Sequence, residues 1–314
     1  MRLIARRILR LCGLLVSILA VIWIGARFIR SGALDLLAHA PVAPSCLIAL
    51  LLAGALAYAL IMCLPGLAWW RLAAELSPRS PPLRETLATY AVSQYGKYLP
   101  GNVAHYALRH AWSRRYGLPH ESLTLASILE AMLLLLAALA LTLAADTRRL
   151  AALTVVDPYV AIVLLLFALA LLAVALFWIK RRNILARLHV PTLSSPVLLA
   201  CTAFYLGFFV LCGGVIAALS HVLALGHATF PTLLAATAAS WLAGFIVIGA
   251  PAGLGVREAI FVALTGSVLG EANALLLIGL FRVVTFTGDT IFLAAGAALL
   301  RFGARTPNHD PSHE

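Results

Sequence analysis

Apolar residues run through this chain in long blocks separated by short polar connectors rich in proline and arginine. A block of about 20 residues, rising 1.5 Å per residue, spans the ~30 Å hydrocarbon core of a bilayer. Six blocks meet that length and predict full membrane helices at about 8–28, 42–70, 122–145, 159–179, 197–222 and 272–299. No segment shows the period-two alternation of a β-barrel strand. The pattern predicts an all-α integral membrane protein.

Two further segments are apolar but broken at the middle. Residues 86–109 carry Gln94, Lys97, Asn102 and His105 and are split by Pro100–Gly101. Residues 232–270 are interrupted by GAPAGLGVRE, with Pro251, Gly253 and Gly255 followed directly by Arg257 and Glu258. Irregular backbone at membrane depth is tolerated only where protein or a wet cavity satisfies it. Both segments are therefore read as re-entrant hairpins, with a surface helix–turn–helix as the alternative for the first. The glycines Gly101, Gly253 and Gly255 serve turns and close approach.

Each broken segment is followed about thirty residues later by a buried charge in a long span, Glu130 in one case and Arg282 in the other. Arginines flank the first hairpin on both sides, Arg84 before and Arg109, Arg114 and Arg115 after, so it opens to the cytoplasm. Counting spans makes the second hairpin open to the other side. This is the pattern of an inverted-repeat transporter, with repeat units at about 86–145 and 232–299. Residues 1–300 then form one polytopic membrane domain, and 301–314 a polar cytoplasmic tail. Glu130 and Arg282 reach similar depths, which predicts a direct pair, either a static strut or a gate.

Composition narrows the class. The chain is 63% hydrophobic and 11% charged, against about 45–50% and 25% in soluble domains. That excludes a cytosolic enzyme, a secreted module and a disordered chain. The net charge of +11 clusters beside apolar spans, at Arg2, Arg6, Arg7 and Arg10, at Arg109, Arg114 and Arg115, and around Lys180–Arg187. Positive-inside topology and anionic headgroups account for it without nucleic acid. The N-terminal apolar run outlasts a signal core and lacks a cleavage site, so it is read as a retained span. N- and C-termini are expected in the cytoplasm of a bacterial inner membrane. The Trp69–Trp70 pair is expected at headgroup level.

Chemistry is sparse. The cysteines are isolated and the histidines scattered, so no metal site is expected. No GxSxG elbow, HExxH helix or Walker loop is present, so neither catalysis nor a cofactor is expected. Lys97, Asn102 and Arg109 around the first break, and Arg257 and Glu258 after the second, are the candidates for holding an anionic headgroup. A broken helix offers free amides and a positive dipole end to phosphate, and arginine adds a planar multi-donor fork. The alternatives are capping for Arg257 and Glu258, and snorkelling for Lys97 and Arg109. Glu130, Glu258 and Asp289 are conceivable proton sites.

GKYLPGNVAHYALR (96–109) and GAPAGLGVREA (249–259) together resemble the two signatures of the lysylphosphatidylglycerol synthase transmembrane-region family. The resemblance covers nearly the whole chain in length and motif order, and the P-x-G-x-G-x-R-E motif is its more specific part. It implies an inner-membrane protein that moves a lipid, or lipid-linked glycan, between leaflets. Bifunctional members carry a soluble aminoacyl-transferase domain after the membrane part; none follows here, so aminoacyl transfer is not expected. The partner implied is an anionic phospholipid or prenyl-phosphate lipid. The alternative is a non-catalytic membrane scaffold that assists a separate glycosyltransferase or lipid-modifying enzyme.

Overall fold

The computed structural model describes residues 41–99, 104–144, 193–247 and 251–303, with most of 22–38. Among the described residues every regular element is helical. The expected span at 159–179 and nearly all of that at 8–28 lie outside the described residues, as do Pro100, Gly101 and Asn102.

The helices are α1 (Ala33–Ala38), α2 (Pro44–Ile61), α3 (Cys63–Leu76), α4 (Leu83–Gln94), α5 (Ala104–Ser113), α6 (His120–Ala144), α7 (Ser195–Val222), α8 (Phe230–Ile246), α9 (Val256–Leu269) and α10 (Glu271–Gly303). Single 3₁₀ turns lie at Tyr95–Tyr98, Arg114–Tyr116 and Pro251–Gly253. Proline in the first turn of α2, α7 and α8 starts each helix where its missing N–H costs nothing. Gly117 (φ 75°) and Gly270 (φ 82°) take the left-handed conformations that end the segments before α6 and α10.

Five helices among the described residues are long and apolar enough to cross a membrane: Pro44–Leu76, His120–Ala144, Ser195–Val222, Pro251–Leu269 and Glu271–Arg301. Four of them are expected spans; the fifth, Pro251–Leu269, belongs to the second broken segment. Their outer faces are apolar. Ile48, Leu52, Leu56 and Leu60 recur every fourth residue on α2, each more than half exposed, a stripe suited to lipid.

The helices approach closely through small residues, the usual device where lipid removes the hydrophobic drive between helices. A Cβ on Gly288 of α10 would lie 2.6 Å from the Ala55 carbonyl oxygen of α2. One on Gly296 would lie 2.6 Å from Ala91 Cβ of α4. Helix α10 thus packs on α2, α4 and α9, while α7 packs on α3, α6 and α8.

Both broken segments are hairpins whose arms pack on each other, α4 on α5 and α8 on α9. The first closes where Gly96 meets the backbone of His105, 2.7 Å from where a Cβ would stand. The second closes where Gly253 approaches the Gly244 Cα at 2.9 Å, measured the same way. The ends of the first hairpin lie at the C-terminal end of α10: Arg84 Nη2 donates to the Leu299 carbonyl (3.5 Å), and Trp112 and Arg301 line one groove. Its tip reaches Asp289 through Lys97, about 15–18 Å back along α10 at 1.5 Å per residue. The hairpin is therefore inserted among the helices and does not lie flat at their ends. The second hairpin opens at the other end of α10, where Gly226 packs on Leu269. The two tips, Tyr95–Tyr98 and Pro251–Gly253, touch. Two hairpins thus enter from opposite ends of α10 and meet beside its middle.

Candidate functional site

Three ion pairs surround the meeting of the tips. In the first repeat Arg109 of α5 donates through Nη1 to Glu130 Oε2 of α6 at 2.5 Å, with both side chains 1% exposed. Tyr90 Oη donates to the other carboxylate oxygen at 3.0 Å. The Arg109 guanidinium lies 4.0 Å from the Tyr90 ring centroid, 5.2 Å from Trp69 and 5.5 Å from Tyr106. Its Nε and Nη2 have no hydrogen-bond partner among the described residues, so the aromatic faces supply the remaining attraction.

The second repeat repeats this arrangement with the charges exchanged. Glu258 of α9 pairs with Arg282 Nε of α10. Nη1 and Nη2 of Arg282 donate at 3.3 Å to the carbonyls of Ala252 and Gly253 in the turn itself. That turn holds Ala252 at φ 50°, a left-handed conformation uncommon for a residue with a Cβ. The turn is thus pinned by the long helix that follows it.

The third pair joins the two repeats. Lys97 Nζ lies 2.7 Å from Asp289 Oδ2, and Tyr98 Oη donates to that oxygen at 2.7 Å. A buried carboxylate with two donors is well compensated. Lys97 keeps 17% of its side chain exposed.

Arg257 stands apart. Among the described residues no carboxylate pairs with it, and its Nε is buried without a hydrogen-bond partner. Its guanidinium sits 5.7 Å from the Trp241 centroid, and its side chain threads between Gly244 and Gly253, where a Cβ on either would lie within 2.6 Å of it. Arg257 also lines two adjacent cavities. One, of about 40 Å³, is bounded by Lys97, Tyr98, Trp241, Arg282 and Asp289; the other, of about 60 Å³, by Tyr90, Gln94, Tyr106 and Glu130. Tyr58, Lys97, Phe208 and Trp241 are shared walls. A water needs at least about 10–15 Å³ of such space, so each cavity has room for a few waters and not for a lipid headgroup.

The structure distributes the expected site residues unevenly. Lys97, Arg257, Glu258 and Arg282 gather around the tips, with Gly253 (φ 69°) and Gly255 (φ 82°) in the left-handed turn positions expected of them and Pro251 opening the 3₁₀ turn. Asn102, Pro100 and Gly101 are outside the described residues. The expected Glu130–Arg282 pair is not formed: each residue is taken by a partner in its own repeat, Arg109 and Glu258. Similar depth was a poor guide because the nearer helix of the same hairpin supplies an opposite charge first. Arg109, expected at a headgroup, is fully enclosed by Glu130 and three aromatic rings. Trp69 is 1% exposed, packed against Arg109; Trp70, by contrast, donates to the Pro81 carbonyl at 2.9 Å in the linker. Tyr90, Tyr98 and Trp241 were not anticipated. Their only sequence signal is aromatic residues close to the breaks.

Among the described residues, no group of three or more His, Cys, Asp or Glu side chains could hold a metal ion. In comparisons with known proteins, no family model and no curated protein matches the chain.

Proposed function

We propose that this protein is a flippase-like translocase of an anionic lipid or lipid-linked glycan, acting without catalysis in a bacterial inner membrane with both termini in the cytoplasm. The reading joins the motif resemblance of residues 96–109 and 249–259 to one observation: an arginine without an ion-pair partner among the described residues, on the shared wall of two cavities at the meeting of two opposed hairpins. Lys97, Arg257 and Arg282 face Asp289 and Glu258, so the cluster carries one surplus positive charge. A charge near the bilayer centre is expensive and marks a pathway or a partner. Arg257 has no carboxylate partner among the described residues, so a phosphate is the group that satisfies it. The cavities are too small for a headgroup, so passage requires the hairpins to part, each opening toward its own end of α10 in turn. The enclosed Arg109–Glu130 pair holds the arm of the first hairpin to α6 while the tips separate.

The test is exchange of a fluorescent anionic phospholipid between leaflets of proteoliposomes. Wild-type protein accelerates exchange over protein-free vesicles. Arg257→Gln slows it by about tenfold, and Arg257→Lys restores part, since a point charge replaces a planar fork. Wild-type protein that gives no exchange of anionic or prenyl-phosphate lipid sinks the translocase reading in favour of the scaffold.

A further inference from the structure

The ends of the first hairpin and of α10 enclose a second basic site, remote from the tips. A groove of about 400 Å³ is lined by Thr89 of α4, Trp112 of α5, Arg115 and Tyr116 just after it, and Leu300 and Arg301 at the end of α10. Among the described residues neither Arg115 nor Arg301 has an acidic partner. Arg115 lies 5.8 Å from the Trp112 ring, so its planar group is already oriented. The floor carries an unsatisfied group: Thr89 is 1% exposed, and its Oγ1 has no hydrogen-bond partner among the described residues. A buried hydroxyl left without a partner is costly unless something supplies one. Nearby Arg84 already donates to the Leu299 carbonyl and caps α10.

We infer that this groove binds the phosphate of an anionic phospholipid seated at the rim of the membrane. Two guanidinium groups match a phosphodiester, and the Thr89 hydroxyl gains the acceptor it lacks. Trp112 and Tyr116 are amphipathic rings of the kind that settle at the membrane–water boundary, and Leu300 continues the apolar face of α10 toward the acyl chains. A freely soluble phosphate would leave that aromatic and aliphatic wall without a counterpart. The lipid is therefore assigned to the groove. This site does not depend on the translocase reading, because none of its residues lines the central cavities.

The experiment is native mass spectrometry of the full chain in detergent, titrated with phosphatidylglycerol or with phosphatidylcholine. Wild-type protein takes up phosphatidylglycerol in its tightest adduct, and Arg115→Gln/Arg301→Gln weakens that adduct by about tenfold, in line with losing two basic groups at an anionic surface. Arg115→Lys/Arg301→Lys keeps most of the affinity, and Thr89→Val loses part of it. Because Arg115 and Arg301 are exposed, the double variant folds as wild type does. Equal phosphatidylglycerol binding by wild type and the glutamine double variant overturns the proposal. So does phosphatidylcholine binding of the same strength, or full displacement of the lipid by millimolar inorganic phosphate.

Discussion

The two hairpins carry the same device with opposite wiring, and they differ in how tightly it is closed. In the first, Arg109 and Glu130 are both 1% exposed and wrapped by Trp69, Tyr90 and Tyr106. In the second, Arg282 is 20% exposed, borders a cavity, and spends two of its donors on the carbonyls of a strained turn. The first pair fastens two helices to each other. The second fastens a helix to the tip of a hairpin. An aromatic cage resists rearrangement, because opening it would uncover a desolvated cation. Hydrogen bonds of 3.3 Å to a turn can be exchanged for water or a ligand at small cost. The contrast separates a fixed arm from a movable tip.

The largest expected effect is at the closed pair. Glu130→Gln leaves Arg109 buried without a counter-charge, a loss of about 3–5 kcal/mol in soluble interiors. Folded yield and thermal midpoint in detergent should fall accordingly, and Arg109→Gln should do similar damage from the other side. A Glu130→Gln protein as stable as wild type would show that the aromatic rings suffice for Arg109 and that the pair holds nothing together.

Glu258→Gln should cost less, about 1–2 kcal/mol, because Arg282 keeps its two carbonyl acceptors and some access to water. Its clearer consequence is expected in lipid exchange, since the turn that carries Arg257 loses one restraint. Gly253→Ala strains the same turn directly, with φ 69° and a Cβ 2.6 Å from Arg257 Nε. It should slow exchange more than it lowers the melting temperature. If either variant destabilises the protein as much as Glu130→Gln does, the two regions are equally structural and the distinction fails.

A smaller effect is predicted for the pair that depth alone suggested. Because Glu130 and Arg282 have separate partners, Glu130→Gln and Arg282→Gln should add within about 0.5 kcal/mol in a double-mutant cycle. A coupling well above that would place the two pairs in one network.

The long spans were legible because twenty apolar residues in a row have few other uses, and four of the six expected ones are helices among the described residues. The hairpins were legible because proline and glycine interrupted apolar runs; in the first, the helix already gives way to a 3₁₀ turn at Tyr95–Tyr98, before Pro100–Gly101. Partner choice was not legible. Arg109 reads in sequence as one of several flanking cations, indistinguishable from Arg114, and only packing reveals that it is buried while its neighbour is exposed. Trp69 posed the same difficulty. A tryptophan ending an apolar run reads alike whether it faces headgroups or a guanidinium. Lys97 and Asp289 lie 192 residues apart, and no local pattern connects them.

The smallest predicted change in stability is at Arg257, and it is the sharpest divide between the two regions. Replacing Arg257 by glutamine breaks no ion pair or hydrogen bond to any described residue. It forfeits the contact with the Trp241 ring, about 0.5–1 kcal/mol where partly solvated. Against this, it removes the desolvation cost of a half-buried cation and its repulsion from Arg282, the neighbouring like charge. The opposing contributions are similar in size, so the melting temperature of Arg257→Gln should match wild type within about 0.5 kcal/mol of stability while lipid exchange falls. A stability loss as large as that of Glu258→Gln would mean that Arg257 is holding the hairpin together. Unchanged stability with reduced exchange would leave Arg257 as a cation with no carboxylate partner among the described residues, at the place where two opposed hairpins meet.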